Sequence, residues 1–305
     1  SSLGISTYTM ARFPVIMGAL MVLLALPAAL GQNGVLKPRP ELLVSPEWLS
    51  AHLKETNLRI VDLRDEKAYR RAHIPGAVHF PSNNLFAKVN GVVGMLPDVR
   101  IVAEKLSRAG IDQQTVVVAY DDAWGLYATR LFWALDYIGQ GKGRVLDGGW
   151  SHWRRLKLPV SSRIPRVAAA RLTPRSRPEL LAGLEWMRRN IKAPGTVYVD
   201  ARSSREYRGV TQYAKYRGHI PGAVSFEWKR HLRSGGTMRP AEDLLAKFKS
   251  LGVTPDKEVA VYCQVMVRAA HSYFTLKWLG FPRVRGYDGS WAEWGNRDDT
   301  PKEIF

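Results

Sequence analysis

A long internal repeat constrains the fold of this chain more than any other feature of its sequence. The segment IVDLRDEKAYRRAHIPGAVHF begins at Ile60, and its counterpart YVDARSSREYRGVTQYAKYRGHIPGAVSF begins at Tyr198. A second pair, VLDGGWSHW and GYDGSWAEW, contains Asp147 and Asp288, which are 141 residues apart (288 − 147). Repeats of this spacing are longer than solenoid units, so they indicate two duplicated domains. A length of 305 residues also suits two domains with separate cores.

Short strands and amphipathic helices alternate within each copy of the repeat. This alternation predicts an α/β fold in which each domain has a mostly parallel sheet with helices on both faces. In the second copy we expect strands at Val197–Asp200, Ala223–Phe226 and Glu258–Cys263, and helices near Ala241–Leu251 and Arg268–Leu279. The expected divisions are a first domain at 40–160, a linker rich in Pro, Ser and Arg at 161–178, and a second domain at 179–305.

The N-terminal region predicts export. Arg12 is followed by the apolar run VIMGALMVLLALPAAL and then by small residues that end at Gly31. This pattern is typical of a secretory signal peptide that starts at Met10 and is cleaved after Gly31, with residues 1–9 upstream of it or foreign to the protein. The mature protein would then be periplasmic. The alternative is an uncleaved anchor, the one expected membrane contact, but the run is slightly short for a spanning helix of roughly 20 residues.

The chain is strongly basic, with a net charge of +18. Such a charge suits a nucleic acid, an anionic membrane or a small anionic substrate. The 45 Lys and Arg residues are spread along the whole chain, without zinc-finger spacing and without a basic ribbon interleaved with aromatic residues. We therefore expect no nucleic-acid partner.

Cys263 is the only cysteine, so it cannot form an intramolecular disulfide. It is a buried apolar residue, a site of intermolecular pairing or a reactive thiol. The run EVAVYCQVMVRAAHSYFTLKWLG places it at the end of a strand, before a short loop and a helix that starts near Arg268. Ligands bind at this edge of α/β sheets, where loop N–H groups and a helix N-terminus favour an anion and depress a thiol pKa. Arg268 can grip an oxyanion, or it can pair with a neighbouring carboxylate.

Together these residues resemble the tandem-domain rhodaneses, the thiosulfate sulfurtransferase family. The likeness rests on the two His-Ile-Pro-Gly-Ala blocks, the Asp-x-Arg strand ends, the two Asp-Gly-x-Trp blocks and the loop from Cys263 to Arg268. It implies two rhodanese-like domains and catalysis without a metal or organic cofactor. It also implies that Cys263 takes a sulfane sulfur from a small anionic donor such as thiosulfate and passes it, through a persulfide, to a thiophilic acceptor such as cyanide. Arg268 would help to bind the donor, and the N–H cradle would consist of Gln264, Val265, Met266 and Val267.

The resemblance also predicts an inactive first domain that covers one side of the active site. Carrying the 141-residue offset back through the loop places Asp122 opposite Cys263 (263 − 141) and Gly125 opposite Met266 (266 − 141). A carboxylate cannot carry sulfur and would repel an anion from its loop. Family members usually have glycine at the Met266 position. If that position needs a positive φ, methionine costs of order 1 to 2 kcal/mol.

The remaining candidate residues have structural as well as functional interpretations. We expect His271 to pack, because it lies one turn into the helix after the loop. The second copy also carries an eight-residue insertion, since its aspartate offset is 138 (200 − 62) and its histidine offset is 146 (219 − 73). Arg205 and the basic part of this insertion, Lys215–Arg217, either line the cleft or stay solvated. Residues that recur in both halves are expected to be structural, namely His73, His219, Asp62, Asp200, Arg64 and Arg202.

Three rival functions stay open. The first is transfer from 3-mercaptopyruvate, although that branch of the family has small and hydroxyl residues in the loop that Arg268 closes here. The second is a phosphatase, whose loop has five residues between Cys and Arg, whereas this chain has Ala269 at the required position. The third is a non-catalytic sulfur carrier or protein-binding module.

Overall fold

The computed structural model describes Leu36 and residues 38–305. The predicted signal peptide at residues 1–31 lies outside the described residues and stays a prediction. Within the described part, no helix is both long enough and apolar enough to cross a membrane.

The first half contains a five-stranded, fully parallel sheet with the strand order β1-β7-β6-β2-β3. A separate antiparallel hairpin is formed by β4 and β5. In chain order the elements are β1 (Leu43–Val44), α1 (Pro46–Ala51), β2 (Leu58–Asp62), α2 (Glu66–Arg71), β3 (Val78–His79), β4 (Ala87–Val89), β5 (Val92–Met95), α3 (Val99–Arg108), β6 (Val116–Tyr120), α4 (Leu126–Tyr137), β7 (Gly143–Leu146) and α5 (Gly149–Arg155).

The second half repeats this plan with a four-stranded parallel sheet of order β11-β10-β8-β9. Its elements are α6 (Leu184–Arg189), β8 (Thr196–Asp200), α7 (Ser204–Tyr207), β9 (Val224–Ser225), α8 (Ala241–Ser250), β10 (Glu258–Tyr262), α9 (Arg268–Trp278), β11 (Val284–Gly286) and α10 (Ser290–Trp294). The α/β fold and the predicted strands and helices of the second copy are confirmed to within a few residues at their ends.

The two halves use the same hydrogen bonds to fix the ends of their central strands. Tyr120 ends β6 and its hydroxyl accepts from the backbone N–H of Ile74 at 3.2 Å. Tyr262 ends β10 and accepts in the same way from Ile220 at 3.1 Å. The two tyrosines are therefore equivalent, at an offset of 142 residues (262 − 120).

Buried ion pairs hold the neighbouring strand ends, as the sequence predicted for residues shared by both halves. Asp200 lies at the end of β8 and binds the Arg202 guanidinium at 2.7 Å, with both side chains at most 2% exposed. Arg202 also donates to the carbonyl of Gly218. Asp62 and Arg64 form the same pair in the first half, at 2.6 Å. Removing one partner would leave the other charge buried and unpaired, which is costly, so each pair fixes the path of the chain after its strand.

The histidine that recurs in both halves, His73 in the first and His219 in the second, also has a structural role. His73 stacks on Tyr69, and its ring nitrogens lie 2.8 and 3.1 Å from the carbonyl oxygens of Tyr69 and Arg163. His219 stacks on Tyr207, with Nδ1 2.7 Å from the Tyr207 carbonyl oxygen. Neither ring is exposed to solvent, so the structural interpretation is confirmed.

One hydrophobic core crosses the boundary between the two halves, because α4 packs against α9. At its centre, the Arg130 guanidinium in the first half binds the Asp288 carboxylate in the second at 2.7 Å, and the Arg130 side chain is completely buried. The backbone N–H of Leu96 also donates to Asp288, at 2.7 Å. In the pseudo-symmetric position, Met238 N–H donates to Asp147 at 2.9 Å. The two halves are therefore joined through matched carboxylate contacts.

This interface gives a stability prediction. Arg130→Met would leave the Asp288 carboxylate buried without its arginine, so we expect the free energy of unfolding to fall by about 3–5 kcal/mol. The loss is measured by urea denaturation. The double variant Arg130→Met/Asp288→Asn also removes the unpaired carboxylate charge, so it should recover part of the lost stability. A single variant within about 1 kcal/mol of the wild type would contradict a structural role for this pair.

Candidate active site

Cys263 follows β10 directly and is completely buried. Its backbone N–H donates to Ser290 Oγ at 3.2 Å, and its carbonyl accepts from the N–H of Trp291 at 2.9 Å. Ser290 Oγ also accepts from the N–H of Met266 at 3.2 Å. The first residue of α10 thus accepts hydrogen bonds from the beginning and the middle of the loop between Cys263 and Arg268.

Met266 adopts the left-handed conformation, with φ of 56°. This loop position therefore does have the positive φ at which methionine is less favourable than glycine. Its side chain is completely buried and reaches β11, where a Cβ added to Gly286 would lie only 2.3 Å from Met266 Cε. Burying a methionine side chain gains about 1.5–3 kcal/mol, which offsets the cost of the backbone conformation.

The equivalent loop of the first half corrects the expected alignment. Because Tyr120 is equivalent to Tyr262, Asp121 and not Asp122 lies opposite Cys263, at an offset of 142 (263 − 121). The backbone contact agrees, since Trp150 N–H donates to the Asp121 carbonyl at 2.8 Å. At this offset the counterpart of Met266 is Trp124, whose φ is 60°, rather than Gly125. Gly125 also has a positive φ, 88°, but it lies opposite Val267, whose φ is −89°, so the two loops differ in backbone at that position. The 141-residue offset holds only for the later Asp-Gly-x-Trp block.

The Asp121 carboxylate occupies the anion-binding position of its own loop. Oδ1 accepts from the N–H groups of Ala123 and Gly125 at 2.8 and 2.9 Å, and Oδ2 accepts from Tyr127 and Ala128 at 2.8 and 2.9 Å. Complete burial raises the pKa of this carboxyl above its ordinary value, although the four donors oppose the rise. This strand-to-helix turn therefore has the geometry to bind an anion through backbone N–H groups.

The second loop has N–H groups at the positions that correspond to these four donors. At the same offset of 142 residues they belong to Val265, Val267, Ala269 and Ala270. Ala269 and Ala270 lie in the first turn of α9, where N–H groups have no acceptor within the helix. We call these four N–H groups the cradle, a set that differs from the predicted one because the Met266 N–H donates to Ser290 instead. The residue that corresponds to Asp121 at the base of the loop is the thiol Cys263.

The first half covers the cysteine loop with its β4–β5 hairpin. A Cβ added to Gly94, which has φ of 81°, would lie 2.6 Å from the Cβ of Val265, so the hairpin backbone touches the loop directly. The second half returns this contact, because a Cβ added to Gly236 would lie 2.8 Å from the Trp124 ring. The expected covering role of the first domain is thus present as a contact between hairpin and loop.

Arg268 begins α9 and is bound by a carboxylate of its own domain. Nη1 and Nη2 donate to the two carboxylate oxygens of Glu206, each at 2.7 Å. Burial opposes ionisation of Glu206, but the hydrogen bonds and charge of Arg268, with hydrogen bonds from Ser203, lower the pKa of the carboxyl to about 2. Burial also disfavours the charged form of Arg268, yet bonding to Glu206 and the charge of Cys263 raise its pKa above the ordinary value. The predicted donor-binding arginine is therefore already engaged.

The rhodanese-like domain family matches residues 45–156 and 183–297. The chain belongs to the rhodanese family. It is 36% identical to a thiosulfate sulfurtransferase of Azotobacter vinelandii over 86% of this chain and 97% of the relative. It is 35% identical to the sulfur carrier protein TtuD of Thermus thermophilus over 86% and 96%, and 34% identical to a probable 3-mercaptopyruvate sulfurtransferase of Pseudomonas aeruginosa over 83% and 94%. The solved structure of YnjE covers 87% of this chain with a TM-score of 0.78 and 27% identity, the match spanning 68% of YnjE.

The basic insertion of this rhodanese lies beside the cysteine loop but directs few free charges toward it. The Gln264 side chain donates to the carbonyl of Tyr213 at 3.2 Å, which ties the insertion to the loop. Lys215 pairs with Asp298, and Arg217 donates to Gln212 at 2.7 Å. Lys215 and Arg217 are therefore engaged with surface groups, while Arg205 is exposed.

Sequence analysis missed two residues of the site, Glu206 and Ser290. Both occupy repeat positions where the first half has a residue without that chemistry, Ala68 (206 − 138) and Gly149 (290 − 141). Glu206 also completes a capping box with Ser203, which by itself suggested only a helix start. Comparing the halves for such differences is the signal that could have found both residues.

His271 packs in the core of the site region, as expected. Its Nδ1 lies 3.3 Å from Nδ1 of His231, and both rings are buried. Burial lowers the pKa of His271 to about 3, and burial together with the neighbouring His271 charge lowers the pKa of His231 well below its ordinary value. The pair is therefore neutral in the folded protein near neutral pH and serves packing rather than proton transfer.

The left-handed loop position gives a matched pair of variants. Met266→Gly would relieve about 1 kcal/mol of backbone strain but lose about 3 kcal/mol of buried packing, so we expect a net destabilisation of about 2 kcal/mol. Lys157 has a similar φ, 54°, but is exposed, so Lys157→Gly should stay within about 1 kcal/mol of the wild type. Both are measured by urea denaturation. A Met266→Gly variant as stable as the wild type would show that burial does not compensate the strain at Met266.

The buried histidines predict acid sensitivity. In the unfolded chain His271 gains a proton as pH falls below 6.5, whereas in the folded protein it does so only near pH 3. The unfolded state therefore binds more protons in this window, and stability is lost as pH falls from about 6.5 toward 3, by about 1.4 kcal/mol per pH unit from His271. His231 contributes in the same direction, because burial also lowers its pKa. Unfolding free energies measured at several pH values should show a flatter slope for His271→Gln. An unchanged slope would argue against this assignment.

Proposed function

We propose that this rhodanese is a sulfurtransferase that carries sulfane sulfur as a persulfide on Cys263. The observation that carries the proposal is the cradle. In the first half the equivalent four N–H groups bind the Asp121 carboxylate, and in the second half the residue in the position of Asp121 is the single cysteine of the chain. Such a set of donors stabilises a thiolate, the reactive form of cysteine, and then the terminal sulfur of a persulfide.

The proposed cycle has two displacement steps. The Cys263 thiolate attacks the outer sulfur of thiosulfate or a similar donor, so that the donor S–S bond breaks, a Cys263 S–S bond forms and sulfite leaves with the electron pair. An acceptor such as cyanide then attacks the terminal sulfur, giving thiocyanate and restoring the thiolate. Each step moves one sulfur atom, and neither requires an external oxidant or reductant.

Two alternatives follow from the relatives. A probable 3-mercaptopyruvate sulfurtransferase is among the similar proteins, which favours that α-keto thiol as a second candidate donor. A sulfur carrier protein is also among them, which favours a persulfide handed to a protein rather than released to cyanide. Both alternatives keep Cys263 as the sulfur-bearing residue and differ only in donor or acceptor.

Intact mass spectrometry tests the persulfide directly. After incubation with thiosulfate or with 3-mercaptopyruvate and removal of excess donor, the wild type should gain the mass of one sulfur atom, and cyanide should remove it. Cys263→Ser should gain nothing, because its hydroxyl is not ionised near neutral pH and does not form the persulfide. The donor that loads the protein faster identifies the preferred substrate of the two.

The outcomes separate the candidates. Loading that persists in cyanide but is lost to a protein thiol would support the carrier function. No gain of sulfur from either donor at any concentration would contradict the proposed chemistry.

A further inference from the structure

A cavity in the second half, away from the cysteine loop, is lined mainly by positive charge. It lies between the end of β9 and helix α8 and has a volume of about 310 Å³. We call it the β9–α8 cavity. Two of its lining residues are buried core residues, three are cations and one is a carboxylate, so the lining carries a net charge of +2 (3 − 1). The six residues are Phe226, Arg230, Arg239, Asp243, Leu244 and Lys247.

Three separate segments each supply one cation to this cavity. Arg230 lies in the 3-10 helix Trp228–His231, which follows β9 and is held by its buried first and last residues. Arg239 lies just before α8, and its Nε donates to the carbonyl of Leu232 at 3.1 Å, which leaves the two terminal nitrogens available. Lys247 is half-buried in the second turn of α8. The fold therefore brings these cations together, although they are not consecutive in sequence.

The first half has a cavity in the equivalent place, and there the cations are paired. Helices α3 and α8 both have ten residues, at an offset of 142 (241 − 99), so Lys105 corresponds to Lys247. Asn84 corresponds to Arg230 at the offset of 146 found for the repeated histidines. Asn84 and Lys105 line one cavity, and Lys105 Nζ donates to Asn84 Oδ1 at 2.8 Å. The arginines of that cavity form the pairs Arg70–Glu66 and Arg108–Glu104.

The change from asparagine to arginine alters what the lysine meets in the second half. Lys105 has a side-chain acceptor, whereas Lys247 shares its cavity with two guanidinium groups. Within the part of the chain that the structure describes, none of these three cations forms an ion pair, and the Asp243 carboxylate forms none either. Like charges that share a cavity repel each other. An anion bound among them would remove this repulsion.

We propose that the β9–α8 cavity binds a phosphate group, with Arg230, Arg239 and Lys247 as its donors. A phosphate dianion matches the net charge of the lining. Its oxygens can accept from several cations at once, and the planar guanidinium of arginine suits phosphate geometry. Small-molecule sites begin at about 300 Å³, so the cavity admits a phosphate alone or with a small organic part.

This site is separate from the reacting cysteine. Cys263 follows β10, and β8 lies between β10 and β9 in the sheet. None of the six lining residues belongs to the loop between Cys263 and Arg268. The proposal therefore does not depend on the proposed sulfurtransferase function.

Calorimetric titration of the whole protein with inorganic phosphate tests the site, at low ionic strength because salt screens exposed charges. Arg230→Asn introduces the residue of the first half and should weaken phosphate binding about tenfold, because a charged donor is lost and Lys247 gains an alternative acceptor. Lys247→Gln should weaken it by a similar factor. Asp243→Asn should strengthen it about threefold, because a like charge is removed from the cavity.

A matched control separates this site from the general basic charge of the chain. Lys249→Gln removes the same charge from the same helix, but Lys249 lines a different cavity, so phosphate affinity should change less than about twofold. Thermal melting gives an independent readout. Phosphate should raise the Tm of the wild type and of Lys249→Gln, and should raise that of Arg230→Asn much less, because a ligand stabilises only the folded protein that binds it.

The source of the phosphate group is distinguished by a second titration, with glycerol 3-phosphate. Tighter binding of this monoester than of inorganic phosphate would support a phosphate monoester as the ligand, and the reverse order would support free phosphate. Equal phosphate affinity in the wild type, Arg230→Asn and Lys247→Gln would overturn the proposal by placing the bound phosphate elsewhere. A wild type that binds neither compound would overturn it as well.

Discussion

Backbone N–H groups at a strand-to-helix turn need an acceptor, and each half of this rhodanese is organised around that requirement. In the first half the Asp121 carboxylate accepts four such bonds and is completely buried. A permanent internal anion leaves no place for an external one. In the second half the residue at the same position is Cys263, and in the proposed function its thiolate or persulfide takes the place of that carboxylate. The exchange of Asp for Cys at the base of the loop is the difference on which that proposal depends.

Both halves have a left-handed residue other than glycine at the same position of this turn, and the first half has a second left-handed residue, Gly125, directly after it. Met266 and Trp124 have φ of 56° and 60°. The backbone cost of about 1–2 kcal/mol is comparable to the gain from burying a large apolar side chain. Met266 therefore turns a strained position into a packing contact with β11. The hairpin that covers Val265 is also held against the second half, because the backbone N–H of Leu96 donates to Asp288.

Sequence was sufficient for the fold and for the position of Cys263 at a strand end, and insufficient for the residues that contact the cysteine loop. Local periodicity predicts the positions of strands and helices, and the duplication places Cys263 at a strand end. Patterns in the sequence were therefore enough to predict both the elements and the location of the cysteine. The alignment of the first loop was wrong by one residue, because the two repeat blocks have different offsets and only hydrogen bonds reveal where the change occurs. Glu206 was missed because it meets Arg268 across 62 residues of chain (268 − 206). Local periodicity does not predict contacts between residues that are far apart in the chain.

The net charge of +18 does not by itself imply that the site prefers highly charged anions, because the basic residues are spread along the whole chain. Charges spread over the surface act through solvent, where screening reduces their effect beyond about 8–10 Å. They raise the rate at which any anion arrives without distinguishing a monoanion from a dianion at contact. Beside the loop, Arg268 is paired with Glu206 at 2.7 Å, so these two residues together add no net charge there. The excess positive charge of the chain is therefore not concentrated at this pair.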